Sequence, residues 1–86
     1  MNKEQKLIED IILSLADDKE AVKINCTLTD HTAVYDIYVS KKDFPVVMGK
    51  KGSHVISLRT ILKAIYGKMG KRLHLQVIDP RRIENK

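Results

Sequence analysis

The sequence has 86 residues, which is enough for one compact domain of modest stability. Its hydrophobic and charged fractions, 43% and 31%, are those of an ordinary water-soluble domain. No apolar run approaches the roughly 20 residues of a membrane-spanning helix, and the first residues lack the apolar segment of a signal peptide. We therefore expect a cytoplasmic protein without a membrane partner. The single cysteine, Cys26, agrees with a reducing compartment.

The net charge of +5 is concentrated in one part of the chain. Residues 1–20 are net acidic, whereas residues 41–72 contain many lysines and arginines and only one acidic residue, Asp43. Concentrated positive charge favours binding to a polyanion such as nucleic acid. A solvated lysine-rich surface with no ligand would have the same composition, so charge alone does not decide the function.

The first predicted element is a helix over residues 3–16. Asn2 followed by Gln5 three positions later resembles a capping box, and Asp17 and Asp18 disfavour continuation of the helix. Apolar residues recur at helical spacing and form one stripe, which comprises Leu7, Ile8, Ile11, Ile12 and Leu15.

Two strands are predicted next, because apolar and polar residues alternate over 22–28 and again over 33–39. The short turn between them predicts an antiparallel hairpin. Cys26 falls on the inward register and is expected to be an inert core residue. The inward positions are Val22, Ile24, Cys26 and Leu28 in the first strand, and Ala33, Tyr35, Ile37 and Val39 in the second.

A short and a long helix are predicted after the hairpin. Asp43 can cap the free amides at the start of the short helix, and Gly49 can end it with a left-handed conformation. The long helix begins beyond Gly52 and ends near Gly70. Its apolar stripe comprises Val55, Leu58, Ile61, Leu62, Ile65 and Met69.

A third strand is predicted around residues 73–77, and Pro80 ends it. We expect residues 1–80 to form the domain and residues 81–86 to form a disordered polar tail. The order is helix, strand, strand, short helix, long helix, strand, and each strand has one apolar face. The predicted fold is therefore α+β, with three helices covering one side of a three-stranded sheet.

The segment Gly-Lys-Lys-Gly at residues 49–52 separates the two helices and has features suited to phosphate binding. Its glycines permit a sharp turn and close approach of another backbone. The free amides at the start of the long helix point into the same space, and the two lysines add positive charge. A tight helix-to-helix turn would also contain two glycines, so the flanking pattern matters. Val47 and Met48 precede the segment, and Val55 follows three residues after it.

This pattern, in which two aliphatic residues precede GxxG and a further aliphatic residue follows it, resembles the signature of KH domains. The GxxG loop of KH domains clamps about four nucleotides of single-stranded RNA. The order αββααβ is similar to the type II KH arrangement. The size and the ending GKRLHLQVID at residues 70–79 resemble the KhpA family of small bacterial KH proteins. The resemblance extends from about residue 3 to Asp79. Two departures are Met48, where isoleucine is usual, and Phe44-Pro45-Val46 before it.

This resemblance implies a small cytoplasmic RNA-binding protein, such as an RNA chaperone or post-transcriptional regulator. It also implies a homodimer or a heterodimer with a larger KhpB (Jag-like) KH protein. The alternative function is a protein-interaction module that acts mainly through such a partner. The residues that the resemblance assigns to RNA are Met48, Gly49, Lys50, Lys51, Gly52, Ser53, Val55, Ile56 and Arg59.

The remaining polar residues predict no catalytic or metal site. His54 either contacts RNA or is an exposed helix residue, and the histidines and Cys26 lack metal-ligand spacing. Carboxylate pairs and Ser-His-Asp sets are not apparent, so we expect no enzymatic activity and no cofactor. Tyr35 is assigned to packing, whereas Tyr38 and Tyr66 are candidates for a dimer surface.

Overall fold

The computed structural model describes residues 2–84. Over this range the chain forms the predicted order αββααβ and then one additional short helix. The elements are α1 (Lys3–Leu15), β1 (Lys23–Leu28), β2 (Thr32–Tyr38), α2 (Phe44–Met48), α3 (Ser53–Lys68), β3 (Arg72–Ile78) and α4 (Pro80–Glu84). Single turns of 3-10 helix lie at Lys19–Ala21 and Lys50–Gly52.

The ends of α1 and α3 follow the sequence signals. The Asn2 side chain accepts a 2.7 Å hydrogen bond from the backbone N–H of Gln5, which satisfies one free amide at the start of α1. α1 ends at Leu15, one residue before the position that the sequence predicts, and Ala16 after it has extended backbone. Gly70 has a φ of 72° after α3, and the backbone N–H of Lys71 bonds back to the carbonyl of Tyr66.

The sheet has the order β1-β2-β3, so β2 is the central strand. β1 and β2 form the predicted antiparallel hairpin, in which Cys26 lies opposite Tyr35. β3 instead pairs with β2 in parallel, and Tyr35 lies opposite Leu75. Parallel neighbours require a crossover connection, and α2, the Gly-Lys-Lys-Gly loop and α3 form it.

The core lies between the helices and one face of the sheet, as the apolar patterns predict. Alternate residues of β2 are fully buried, and each large aliphatic side chain removed from water contributes about 1.5–3 kcal/mol. The principal core residues are Ile8, Ile12, Ala33, Tyr35, Ile37, Val47, Val55, Leu58, Leu62, Tyr66, Leu73 and Leu75.

Two expectations are wrong at the margins of this core. Leu28, the last residue of β1, is 46% exposed. Tyr66 is buried and bonds to Tyr35, so it does not lie at the surface. Residues 80–84 form α4, and Arg81 in this helix donates to the Asp79 carboxylate. The division into a domain over residues 1–80 and a tail over residues 81–86 stays a prediction. Residues 1, 85 and 86, which the predicted domain and tail include, lie outside the described residues.

Asp43 also differs from its prediction. It occupies the N-cap position of α2, but its carboxylate makes no hydrogen bond to that helix. It is 2% exposed and accepts hydrogen bonds from the backbone N–H groups of Asp17 and Asp18. The local cap is lost because the chain after α1 supplies two buried amides that need an acceptor.

Candidate nucleic-acid interface

The loop at residues 49–52 has an unusual backbone. Gly49, Lys51 and Gly52 have φ angles of 77°, 57° and 76°, a region that L-residues rarely adopt. The N–H of Gly52 bonds to the carbonyl of Gly49 at 3.0 Å, and the N–H of Ser53 bonds to the carbonyl of Lys50. The result is a tight turn from which both lysine side chains are exposed to solvent.

Gly49 permits a close contact that no side chain would allow. A Cβ atom built on Gly49 would lie 2.6 Å from Cγ of His54 and 2.8 Å from its backbone nitrogen. The His54 ring crosses above Gly49, and its Nδ1–H donates a 2.7 Å hydrogen bond to the carbonyl of Val46. His54 therefore links α3 to α2 around the loop.

The structure thus gives His54 a role that the sequence left open. The ring donates its hydrogen bond to the carbonyl of Val46, eight residues earlier in the chain, and this bond helps to hold the shape of the loop. Helical spacing does not reveal such a pair, since the chain reverses between the two residues. Gly49, five residues before His54, was the available signal, because a position without a side chain permits close approach of another group.

A small apolar patch lies beside Gly52. A Cβ atom at Gly52 would lie 3.8 Å from Cδ1 of Ile56 and 4.0 Å from Cε of Met48, so these side chains flank the second glycine. Ile56 is 54% exposed, which is unusual for isoleucine, while Met48 packs partly against the core. Met48 and Ile56 together offer an apolar contact surface next to the two lysines.

Val55 does not belong to that patch. It is 2% exposed and lies in the core, because it projects from α3 toward α1 and the sheet, away from Ile56. It supports the first turn of α3 from the core side, and the contact with RNA that the resemblance assigns to it stays a prediction. Ser53, by contrast, is exposed at the first position of α3.

Arg59 extends the site toward the edge of the sheet. It lies one turn after Ile56 on α3, and its Nε–H donates a 2.8 Å hydrogen bond to the carbonyl of Leu75 in β3. This bond occupies an acceptor at the open edge of the strand. Arg59 and Lys63 also line a groove of about 440 Å³ along that edge, together with His74 and Gln76.

The loop is electrostatically positive for two reasons. Among residues 2–84, neither Lys50 nor Lys51 forms an ion pair, so both charges face solvent uncompensated. The loop also precedes the 16 residues of α3, whose N-terminal end carries partial positive charge. Within the same range, no side chain forms a capping hydrogen bond at this end of α3. The arrangement suits a phosphate group.

Among residues 2–84, no cluster of three or more histidine, cysteine or acidic side chains has the arrangement of a metal site. None of the helices over that range is both long and apolar enough to cross a bilayer.

Comparison with known proteins was informative at the family level. The family model described as KhpA/KhpB, KH domain, matches residues 5–77, which include the loop and both flanking helices. The RNA-binding protein KhpA of Listeria monocytogenes is 35% identical over 75 residues, covering 87% of this chain and 99% of that protein.

Two further relatives carry the same name. KhpA of Borreliella burgdorferi is 32% identical over 76 residues, covering 88% of this chain and 93% of the relative. KhpA of Aquifex aeolicus is 33% identical over 73 residues, covering 85% and 92%. No solved structure matches the chain. The fold, the glycine loop and these matches agree, and the chain belongs to the KhpA/KhpB family of KH domains.

Proposed function

We propose that this protein binds single-stranded RNA, with the loop at residues 49–52 holding the sugar-phosphate backbone. The observation that carries the proposal is the loop itself, where Lys50 and Lys51 are exposed, unpaired within the described residues, and adjacent to the positive end of α3. KH loops of this kind clamp about four nucleotides. The related KhpA proteins are named as RNA-binding, which supports the same ligand class.

We assign the remaining contacts with RNA to the residues that surround the two lysines. The backbone N–H groups of Lys50 and Lys51 and the Ser53 hydroxyl donate to phosphate oxygens, while Met48 and Ile56 contact the faces of bases. Arg59 is fixed by its bond to Leu75, which leaves its terminal N–H groups for the strand that passes along α3. Contacts to backbone position the RNA without reading its sequence, so any base preference arises from the groove beside the loop.

Charge reversal at the loop tests this proposal. We expect Lys50→Asp with Lys51→Asp to weaken binding of a fluorescent single-stranded RNA by at least tenfold, because hydrogen bonds to charged groups are worth about 1.5–3 kcal/mol each. Aspartate is suitable because it tolerates the positive φ of residue 51. Wild-type affinity should also fall steeply with added salt.

A matched control separates the loop from net charge. Lys23 and Arg72 are exposed at the beginnings of β1 and β3, and Lys23→Glu with Arg72→Glu changes the total charge by the same amount. Equal loss of affinity in both double variants would show that only total charge matters. Circular dichroism should confirm that both variants keep the wild-type helix content.

The structure also favours a protein partner, which is the second candidate function. Leu7, Ile61 and Met69 are 43%, 59% and 46% exposed on adjoining surfaces of α1 and α3. Ile11, Leu15 and Ile61 line a predominantly apolar groove of about 470 Å³ between these helices. A second copy of this chain or a larger KhpB-like KH protein would cover this surface. Two linked four-nucleotide sites would then bind RNA more tightly than one.

Two exposed isoleucines on α3 distinguish the candidates. Ile61→Asp should abolish self-association in sedimentation equilibrium, or association with a KhpB-like partner, while Ile56→Asp should leave association intact and weaken RNA binding. A partner retained after nuclease treatment and in the double-lysine variant would favour the protein-interaction function. Association that RNA removal abolishes would contradict it.

We assign the protein, through these activities, to RNA chaperoning or post-transcriptional regulation in the cytoplasm. Crosslinking in cells, followed by sequencing of the attached RNA, tests this role when wild type and the double-lysine variant are compared. Transcripts enriched only with the wild-type protein are the expected targets. Identical recovery with both proteins would exclude a loop-dependent role.

A further inference from the structure

A further groove, distinct from the two described above, lies at the C-terminal end of β3, beside α2 and the start of α4. It has a volume of about 420 Å³ and is open to solvent. Its walls come from three elements that meet only in the folded chain. The lining residues are Phe44, Gln76, Val77, Ile78, Asp79 and Arg82.

The groove combines an aromatic ring with a cation. Phe44 is the single phenylalanine of the chain and remains partly exposed, although it also packs against the core. Arg82 also lines the groove, and its side chain is exposed to solvent. Aromatic and guanidinium planes are the groups on which unpaired bases stack.

Asp79 is the acidic group in this groove, and its charge is already balanced. Both of its carboxylate oxygens accept hydrogen bonds from the Arg81 guanidinium, at 3.2 and 2.9 Å. These bonds hold the pKa of the Asp79 carboxyl below its usual value, so the carboxylate stays ionised and paired. Arg82 lowers the same pKa to a smaller extent, so the Asp79 carboxylate faces two arginines and the net charge of these three side chains is positive.

The groove is close enough to the loop for one RNA strand to reach both. Phe44 begins α2, and Met48 at the other end directly precedes the loop. Five residues of α-helix span about 7 Å, which is short compared with the four nucleotides that a KH loop clamps. The matched family region ends at residue 77, whereas Asp79, Arg81 and Arg82 lie beyond it.

We infer that the segment after β3 adds a base-binding groove to the RNA site, in which Phe44 stacks on a base and Arg82 contacts the base or its phosphate. This inference rests on the proposed RNA binding at the loop. It assigns α4 a function, since the Arg81–Asp79 pair fixes the start of the helix that carries Arg82.

Affinity measurements with an eight-nucleotide RNA test the groove directly. We expect Phe44→Leu, which keeps apolar packing, to weaken binding about fivefold or more, because stacking on an aromatic ring is worth about 1–3 kcal/mol per base. Arg82→Gln should weaken binding and reduce the slope of log affinity against log salt by about one. Arg72→Gln is the matched control, since it removes one exposed arginine at the opposite end of β3.

Ultraviolet crosslinking followed by mass spectrometry gives an independent readout. The peptide containing Phe44 should carry a crosslinked nucleotide in the wild-type protein, and Arg82→Gln should reduce its yield relative to crosslinks at the loop.

The outcomes separate the groove from the loop. If the double-lysine variant loses binding while Phe44→Leu and Arg82→Gln bind like wild type, the groove assignment is wrong and the loop proposal stands. Equal effects of Arg82→Gln and Arg72→Gln would mean that Arg82 acts through net charge alone, which also overturns it. A wild-type protein that binds no RNA would overturn both proposals.

Discussion

Asp43 bears a charge in a place where charges are rarely found. Among the described side chains of residues 2–84, Asp43 is the one charged group that is buried. Its carboxylate oxygens accept hydrogen bonds from the backbone amides of Asp17 and Asp18 at 3.0 and 2.8 Å. The Ser40 hydroxyl donates a further bond at 3.1 Å. The two amides, and to a lesser extent Ser40, hold the Asp43 pKa below its usual value. The carboxylate thereby fastens the end of α1 to the start of α2.

Acid should weaken this connection. Because the folded-state pKa of Asp43 is lowered, its stabilising effect is fully present above the unfolded value of about 3.9 and is lost as pH falls through the folded value. We expect Asp43→Asn to lower the melting temperature at pH 7. The gap between wild type and variant should narrow below pH 4. A constant gap across this range would show that the carboxylate charge is unimportant.

The junction of α2 and α3 shows how one element constrains the next. Gly49 combines a positive φ with contact to the His54 ring, whereas Gly70 has a nearly equal φ of 72° and open space around it. Gly49 also has a ψ of 168°, a combination that is essentially restricted to glycine, so a side chain there meets both a backbone cost and a clash that Gly70 lacks.

Alanine substitutions at these two glycines provide a matched test. Gly70→Ala should cost about 1 kcal/mol of unfolding free energy, because alanine must adopt a left-handed conformation. Gly49→Ala should cost about 1–3 kcal/mol more, since its backbone conformation is essentially restricted to glycine and the added methyl group must displace His54. Urea denaturation measures both. Equal losses would indicate that the His54 contact relaxes freely.

A pair of buried tyrosines connects β2 to α3. The hydroxyl groups of Tyr35 and Tyr66 hydrogen bond inside the core, and their ring centroids lie 6.2 Å apart. Burial is the largest cause that raises the pKa of each phenol above the usual value of 10. Unfolding then releases protons at alkaline pH, which means that this contribution to stability is lost as pH rises above about 10.

Removing one hydroxyl tests the connection. We expect Tyr66→Phe to reduce stability at pH 7 by about 1–2 kcal/mol, because the buried Tyr35 hydroxyl loses its partner. Tyr38→Phe, at a half-exposed position of β2, should change stability by less than about 0.5 kcal/mol. Guanidinium titrations of the three proteins measure these differences. A double variant lacking both buried hydroxyls should recover part of the loss.

At the scale of the whole molecule, stability should depend on whether a second copy covers the partly exposed faces of α1 and α3. If a second copy covers Leu7 and Ile61, the melting temperature should rise with protein concentration, since mass action favours the associated folded state. Ile61→Asp should abolish this dependence and leave a monomer that still binds RNA weakly. A wild-type melting temperature independent of concentration would argue against self-association through this surface.

Sequence patterns were sufficient for the architecture because every main element buries one face. The alternation of Ala33, Tyr35 and Ile37 and the helical spacing of Leu58 and Leu62 are local signals, and the structure confirms the elements they predict. The glycines of the loop were equally visible, because positive φ angles restrict the residue type.

Other features depend on tertiary contacts that no local pattern encodes. Asp43 bonds to amides about 25 residues earlier, and the Tyr66 hydroxyl finds a partner on the central strand. Val55 and Ile56 are both aliphatic neighbours, yet only packing decides that one is buried and the other exposed. The role of the individual site residues in RNA binding stays a prediction.

The parallel pairing of β2 with β3 has a consequence for synthesis on the ribosome. β2 can pair with β1 early, but its other edge stays open until the chain has emerged as far as Ile78. Closing a long crossover is slower than forming a hairpin, because more chain entropy is lost before contacts are gained. A nascent chain therefore completes the proposed RNA-binding surface only after β3 has emerged.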